Sequence, residues 1–258
     1  MEDFFTVDIP VFVPIYDRTK KYGWSRYYDE LWNLLKDTTD GYCMYCYDSV
    51  WINGQRRGQI EHGIEKTNSR EFLTDCVPNL GLACSNCNEK YKRKGEEKRK
   101  LSVKSIKQFE DGICRRFDCK EPCNQFRKLR MEYTRLGKII PQPFESRSRE
   151  NGPVLRMQYD LLKCEYIPSK NSGAYNKEEL DIIYHHIELF GLNRPERKNY
   201  EVGKYCKNVI DFQSFMQDVE YNNLVVELLR KKLMKLDIKE AVKICKIVYC
   251  NAWMQLNT

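Results

Sequence analysis

The chain contains no run of 18 or more apolar residues, which excludes a hydrophobic helix of ordinary transmembrane length. Its opening, Met1-Glu2-Asp3-Phe4, is acidic and has no basic stretch leading into an apolar one, so it does not read as a secretory leader. There is no internal repeat and no low-complexity tract, which excludes solenoid and linker-rich designs. Histidine is scarce, with three in 258 residues, so any imidazole chemistry must rest on His62, His185 or His186. These absences lead us to expect a cytoplasmic protein with no membrane partner. Thiols stay reduced in that compartment, so the 12 cysteines argue for metal ligation plus ordinary buried thiols, not disulfides.

The length allows one or two domains with a real core, and 41% hydrophobic with 31% charged residues describes a rather polar globular chain. The net charge of +7 is unevenly placed. From Lys90 to Glu150 there are 19 Lys/Arg against 9 Asp/Glu, while the remainder holds 25 against 28. A basic run alone is a solvated helical surface more often than not. Beside a centre suited to phosphodiester chemistry, it fits a nucleic-acid backbone.

Residues 4 to 16 alternate Val7, Ile9, Val11, Val13 and Ile15, interrupted by Pro10 and Pro14, and predict an edge strand or extended arm. Ser25 can cap a helix carrying Leu31, Trp32, Leu34 and Leu35. Val50-Trp51-Ile52, Asn53-Gly54 and Gln59-Ile60 predict a hairpin with a connection longer than two residues, ending at Glu61-His62-Gly63. A loop over 64 to 78 follows, then a helix capped by Ser85 through Cys87, Asn88 and Tyr91 and ended by Gly95. Residues 137 to 153 read as a linker, and the chain beyond reads as helical. Asn176 with Glu179 resembles a capping box before the stripe Leu180, Ile183, Ile187 and Phe190, closed by Gly191. Leu224 to Leu233 continues the pattern, and Asp237 with Glu240 starts a last helix.

The densest information lies between residues 42 and 95. Cys43-x-x-Cys46 and Cys84-x-x-Cys87 bracket Glu61-His62, and the second pair runs into Asn88. Four thiolates so spaced match a closed structural zinc site; the bland alternative is four unrelated core cysteines. His62 has the near-neutral side chain that a general base for water needs, against the alternative of a hydrogen-bonded structural histidine. Glu61 and Asn88 offer a hard carboxylate and a neutral carbonyl oxygen, suited to Mg²⁺ or Mn²⁺. Adjacent strand residues point to opposite faces, so Glu61 and His62 can serve one site only across a scissile phosphate or a strand break, which Gly63 would ease. Lys90, Lys92, Arg93 and Lys94 are candidate phosphate contacts, though each taken alone reads more readily as a solvated charge. The irregular spacing of Cys114, Cys119 and Cys123 favours free thiols over a second zinc site completed by Cys164 or a histidine. Tyr184-His185-His186 on a helix favours a packed or surface pair over a metal site.

The order Cys43-Met-Tyr-Cys46, Ile60-Glu61-His62, then Asn79-Leu-Gly-Leu-Ala-Cys84-Ser-Asn-Cys87-Asn88 resembles the HNH endonuclease family. The resemblance implies that His62 is the general base, that Glu61 and Asn88 bind a catalytic divalent metal, and that Asn79 holds the loop orienting the histidine. The chain departs from the family in carrying Glu61 where aspartate is commoner and Glu65 where proline often stands, while Lys66 fits. The fold class so implied is α+β, mainly helical: a ββα-metal core with a four-cysteine zinc knuckle and a helical C-terminal region. The expected parts are an arm and helix (1–41), the nuclease module (42–100), a basic helical extension and linker (101–150) and a helical region (151–258). The helical second half with Phe190-Gly191-Leu192-Asn193-Arg194-Pro195 is similar to the nuclease subunits of Septu-type or retron-associated anti-phage systems. That similarity implies a bacterial effector docking through residues 151–258 on an ABC/SMC-like ATPase, with or without a retron RNA–DNA element. The expected activity is metal-dependent hydrolysis of DNA or RNA phosphodiesters; the rival is a non-catalytic zinc-knuckle nucleic-acid-binding or assembly module.

Overall fold

The computed structural model describes residues 4–112, 119–194, 200–216 and 219–256. Only Thr6–Asp8 of the N-terminal alternation pairs as a strand, β1, and residues 9–16 continue as an extended arm. β1 is one edge of a three-stranded antiparallel sheet, beside β6 (Met157–Asp160) and then β7 (Glu165–Pro168). This β6–β7 hairpin corrects the helical expectation beyond residue 153. Its signal is only four residues a side, and it is held by Tyr159 directly opposite Tyr166, rings 5.0 Å apart and edge to face.

Helix α1 (Tyr28–Thr38) buries Leu31, Trp32 and Leu35. Ser25 does not cap it: its hydroxyl and amide both bond the Asp75 carboxylate, at 2.6 and 2.8 Å. The hairpin prediction also needs correction. Asn53 and Gly54 both take positive φ (51° and 73°) and form a two-residue turn joining β2 (Trp51–Ile52) to β3 (Gln55–Arg56). The next strand, β4 (Gly58–His62), pairs elsewhere, antiparallel to β5 (Leu80–Cys84), with Glu61 opposite Gly81 and His62 opposite Leu80. Between them lie the short helix α2 (Arg70–Leu73) and a turn at Val77–Asn79. After β5 the residues Asn86–Tyr91 make a π-helical turn, and Ser85 makes no side-chain cap bond to it.

Helices α3 (Val103–Asp111) and α4 (Asn124–Gly137) follow. Past Gly137, which ends α4, the stretch taken as a linker has no helix or strand, yet Ile139, Ile140, Gln142, Ser146 and Ser148 are buried. It is a strap across the β4–β5 pair. The Gln142 carbonyl oxygen would stand 2.6 Å from a Cβ on Gly63 and 3.2 Å from one on Gly81. Gly63 is therefore needed for the strap's close approach, not for a break in β4. Arg130 of α4 pins the strap, donating to the carbonyls of Pro141 and Phe144 and to Ser146 Oγ.

The last third holds α5 (Lys177–Leu189), opened by the full Asn176–Glu179 capping box, then α6 (Tyr200–Phe212), α7 (Leu224–Leu233) and α8 (Ile238–Leu256). It grips the first cysteine loop directly. Leu224 N–H donates to the Tyr47 carbonyl, Ser49 N–H to that of Asn222, Tyr42 OH to that of Tyr221, and Asn223 Nδ2 to Asp48. Val7, Tyr45, Leu80, Tyr133, Ile183 and Cys245 all belong to one buried cluster. Among the described residues no helix is long and apolar enough to cross a membrane.

Candidate functional site

The two Cys-x-x-Cys loops meet. Sulfur atoms of Cys43, Cys46, Cys84 and Cys87 lie within 4.8 Å of one another, with Cys46 and Cys84 at 3.6 Å. A tetrahedron of about 2.3 Å Zn–S bonds has edges of about 3.8 Å, so the cluster can hold a metal ion such as zinc. Backbone donors already serve the sulfurs: Tyr45 and Cys84 N–H point to Cys43 Sγ, and Cys87 N–H to Cys84 Sγ at 3.4 Å. Hydrogen bonds from the three neighbouring thiols drive the Cys84 thiol well below its usual range, while Cys46 and Cys87 are held protonated. A cation in the cage would replace those shared protons and neutralise the thiolates.

Strand alternation separates the next two residues. Glu61 is buried, 2% exposed, and its carboxylate accepts from Tyr45 OH on one oxygen and from Lys92 Nζ on the other. Lys92 Nζ also donates to the His62 carbonyl. Lys92 is thus not a surface phosphate contact, which corrects that expectation; it is 4% exposed, while Lys90, Arg93 and Lys94 stand in solvent. Tyr45, desolvated and beside a carboxylate, keeps its proton far above the usual phenol range.

His62 faces the other way. Its Nε2 lies 3.0 Å from the Thr74 carbonyl oxygen and its ring 5.0 Å from that of Trp24. Since a carbonyl only accepts, Nε2 carries the proton and Nδ1 is the basic nitrogen. Burial lowers the pKa of His62 to about 4, so the ring is neutral at physiological pH. Asn79 is buried: its Oδ1 accepts from Ile64 N–H at 2.7 Å, and its Nδ2 donates to the Ile64 and Leu73 carbonyls. It clamps the chain on both sides of the loop that supplies Thr74.

Asn88 donates from Nδ2 to Gln59 Oε1 at 2.8 Å, on the same side of β4 as Glu61 and opposite to His62. A Mg²⁺ or Mn²⁺ ion at Glu61 would have to displace the Lys92 ammonium and the Tyr45 hydroxyl. As folded, the residues do not fit a divalent ion there. Among the described residues the four cysteines are the one His/Cys/Asp/Glu group close enough to hold a metal.

Other candidates resolve differently. Cys119 and Cys123 lie outside any such group, and Cys114 falls outside the described residues. His186 is buried and accepts the Ile140 N–H on Nδ1, whereas His185 is exposed. Asn193 pairs both ways with the backbone of Tyr166, and the Arg194 guanidinium lies 5.1 Å above the Tyr91 ring; Pro195 falls outside the described residues. Residues missed by sequence reasoning are Tyr45, the Thr74 carbonyl, Trp24 and the structural role of Lys92. Tyr45, between two ligand cysteines, carried a positional hint; a backbone carbonyl carries none.

Compared with models of known families, with curated proteins and with solved structures, the chain matches none.

Proposed function

We propose that the chain is an endonuclease of HNH type that hydrolyses phosphodiester bonds in DNA or RNA, with His62 as the water-activating base. The observation that carries this reading is the His62–Thr74 contact. A neutral imidazole with one nitrogen donating to a carbonyl can accept a proton only on the other, although burial with a pKa near 4 makes that nitrogen a weaker base than a free histidine. Water attacks phosphorus, its proton passes to His62 Nδ1, the bond from phosphorus to the 3′-oxygen breaks, and the departing oxygen takes a proton from solvent to leave as a hydroxyl. The order β4, loop, β5, helical turn, stapled by the four-cysteine cage, supports the resemblance. Zinc held by Cys43, Cys46, Cys84 and Cys87 would neutralise their thiolates and pin the turn that carries Asn88 and Lys92.

Glu61 is assigned differently from the family expectation: its charge is answered from within the chain by Lys92. That observation also favours the second reading, a zinc-knuckle module that binds nucleic acid and no longer cuts it. On the resemblance of the helical region and the 190–195 loop, we further propose a role as effector of a bacterial anti-phage complex with an ABC/SMC-like ATPase.

The test is a cleavage assay on purified zinc-loaded protein, with and without that ATPase, across DNA, RNA and tRNA and with Mg²⁺, Mn²⁺ or chelator. Cleavage by the native chain that is lost in His62→Ala supports the enzyme. Equal cleavage by both removes His62 from the chemistry, and binding without cleavage in every condition leaves the module.

A further inference from the structure

We propose that the groove between the N-terminal arm and α4 binds a phosphate-bearing single strand of nucleic acid, with Arg130 anchoring one phosphate at its floor. The inference rests on the nucleic-acid reading above and names the surface that would hold the strand. The groove encloses about 1120 Å³ between the arm at Val13–Arg18, the start of α4 and the strap at Phe144–Arg147. None of it belongs to the cysteine cage or to the His62 pocket.

Arg130 makes the groove a built site. It lines the groove, is 3% exposed, and has no carboxylate in contact among the described residues. Its Nε and Nη2 are spent on the strap, but Nη1 is buried without a partner. Burial pushes the pKa of this guanidinium down to about 10, and the charge of the buried Glu61 carboxylate, which does not contact it, offsets this only in part. Nη1 has almost no exposure of its own, so a phosphate at the groove floor would feel the guanidinium's charge and would complete its fork only with a small shift of the wall.

The walls choose among anions. Arg18, Arg127 and Lys128 line the rim and form no ion pair among the described residues. Three acidic side chains also line the groove, one of them, Glu145, held by Arg147 at 3.1 Å, so a positive excess remains. The half-buried aromatics Tyr16 and Phe144 also line the groove, and the apolar Val13 and Ile15 are 49% and 88% exposed. Cations alternating with aromatic and apolar side chains suit backbone phosphates with unstacked bases between them. A duplex, whose bases are stacked inside, would leave those walls unused. An acidic peptide would satisfy the cations alone.

The test measures binding of a short labelled oligothymidine by fluorescence anisotropy, using full-length zinc-loaded protein that carries His62→Ala so that nothing is cut. Arg127→Ala with Lys128→Ala, both exposed, should weaken binding about tenfold and lower the slope of log affinity against log salt by roughly one to two. Tyr16→Ala should weaken it severalfold at unchanged salt slope, since stacking is lost and charge is not. Unchanged affinity in the double variant, with zinc content and melting temperature intact, overturns the proposal. A poly-glutamate peptide that binds as tightly as the oligonucleotide overturns the nucleic-acid assignment and makes the groove a peptide dock. Binding through the groove by a native chain that cuts nothing supports this site and overturns the endonuclease reading instead.

Discussion

The two faces of strand β4 differ more than any two neighbouring residues should suggest. On one face Glu61 is dry and locked between Tyr45 and Lys92, under the strap. On the other, one residue on, His62 packs against Trp24 and bonds one backbone carbonyl through Nε2. A Glu-His pair looks like one functional unit in sequence, but the pleat splits it into a structural charge and a separate imidazole, the one proposed as the base. The comparison teaches that residue type proposes a role and that the environment on each face assigns it.

The largest expected effect would erase the comparison altogether. Cys87→Ser should lose bound zinc by elemental analysis and with it on the order of 10 kcal/mol of metal-coupled folding energy. Because the 221–224 segment bonds to the first cysteine loop, unfolding should spread into α7 and not stop at the module. Hydrogen exchange that leaves α7 as protected as in the native chain would show the two regions to be uncoupled. Removing zinc with a chelator should reproduce the variant.

Breaking only the dry face comes next. Glu61→Gln leaves Lys92 buried without its counter-charge and should cost about 3–5 kcal/mol in denaturant unfolding. Adding Lys92→Met should restore much of that loss, because an apolar side chain needs no partner. If the single variant is as stable as the parent, Glu61 is not the lock described here. A double variant that gains Mn²⁺ binding over the parent would show that the lysine had excluded the ion.

Breaking only the reactive face should leave stability nearly alone. His62→Ala is expected to lower cleavage roughly 10²- to 10⁴-fold while zinc content is kept and melting shifts little. Activity within a few-fold of the parent would make His62 a packing residue and erase the functional half of the contrast.

What the sequence shows of this arrangement is what spacing alone can carry. Two Cys-x-x-Cys pairs announce a cage because a tetrahedral ion tolerates few other solutions, and the four sulfurs do converge. Asn176 with Glu179, and Asp237 ahead of Glu240, mark helix starts because their partners lie within three residues. The Lys92 partnership spans 31 positions, and its residue type fits a solvated surface equally well. The strap was hidden for the same reason: Pro141, Pro143 and the serines announce irregular backbone, but only the fold brings Gln142 onto Gly63 and Gly81. β6 and β7 are four residues each and draw their stability from β1, some 150 positions away, so no local pattern could outweigh the helical style around them.

The smallest effect sharpens the comparison by acid. His186 lies beyond Tyr45 on the dry side, its ring 6.2 Å from that tyrosine, and its Nδ1 accepts the Ile140 N–H that starts the strap. Burial lowers its pKa from 6.5 to about 3. The unfolded chain therefore takes up this proton as pH falls below 6.5 and the folded chain does not. Stability from the neutral ring is complete above that pH and is lost on acidification toward 3. By pH 5 the loss is about 2 kcal/mol. His62, buried to a lesser degree, adds a loss of the same sign between 6.5 and about 4. His186→Asn keeps an acceptor for Ile140 but cannot titrate, so its unfolding free energy should fall less steeply between pH 7 and 5 than that of the parent, even if it starts lower. Chemical denaturation at each pH gives both slopes. Parallel slopes would mean that the strap is not tied to the protonation of His186, and that the dry face of β4 owes nothing to this histidine's neutrality.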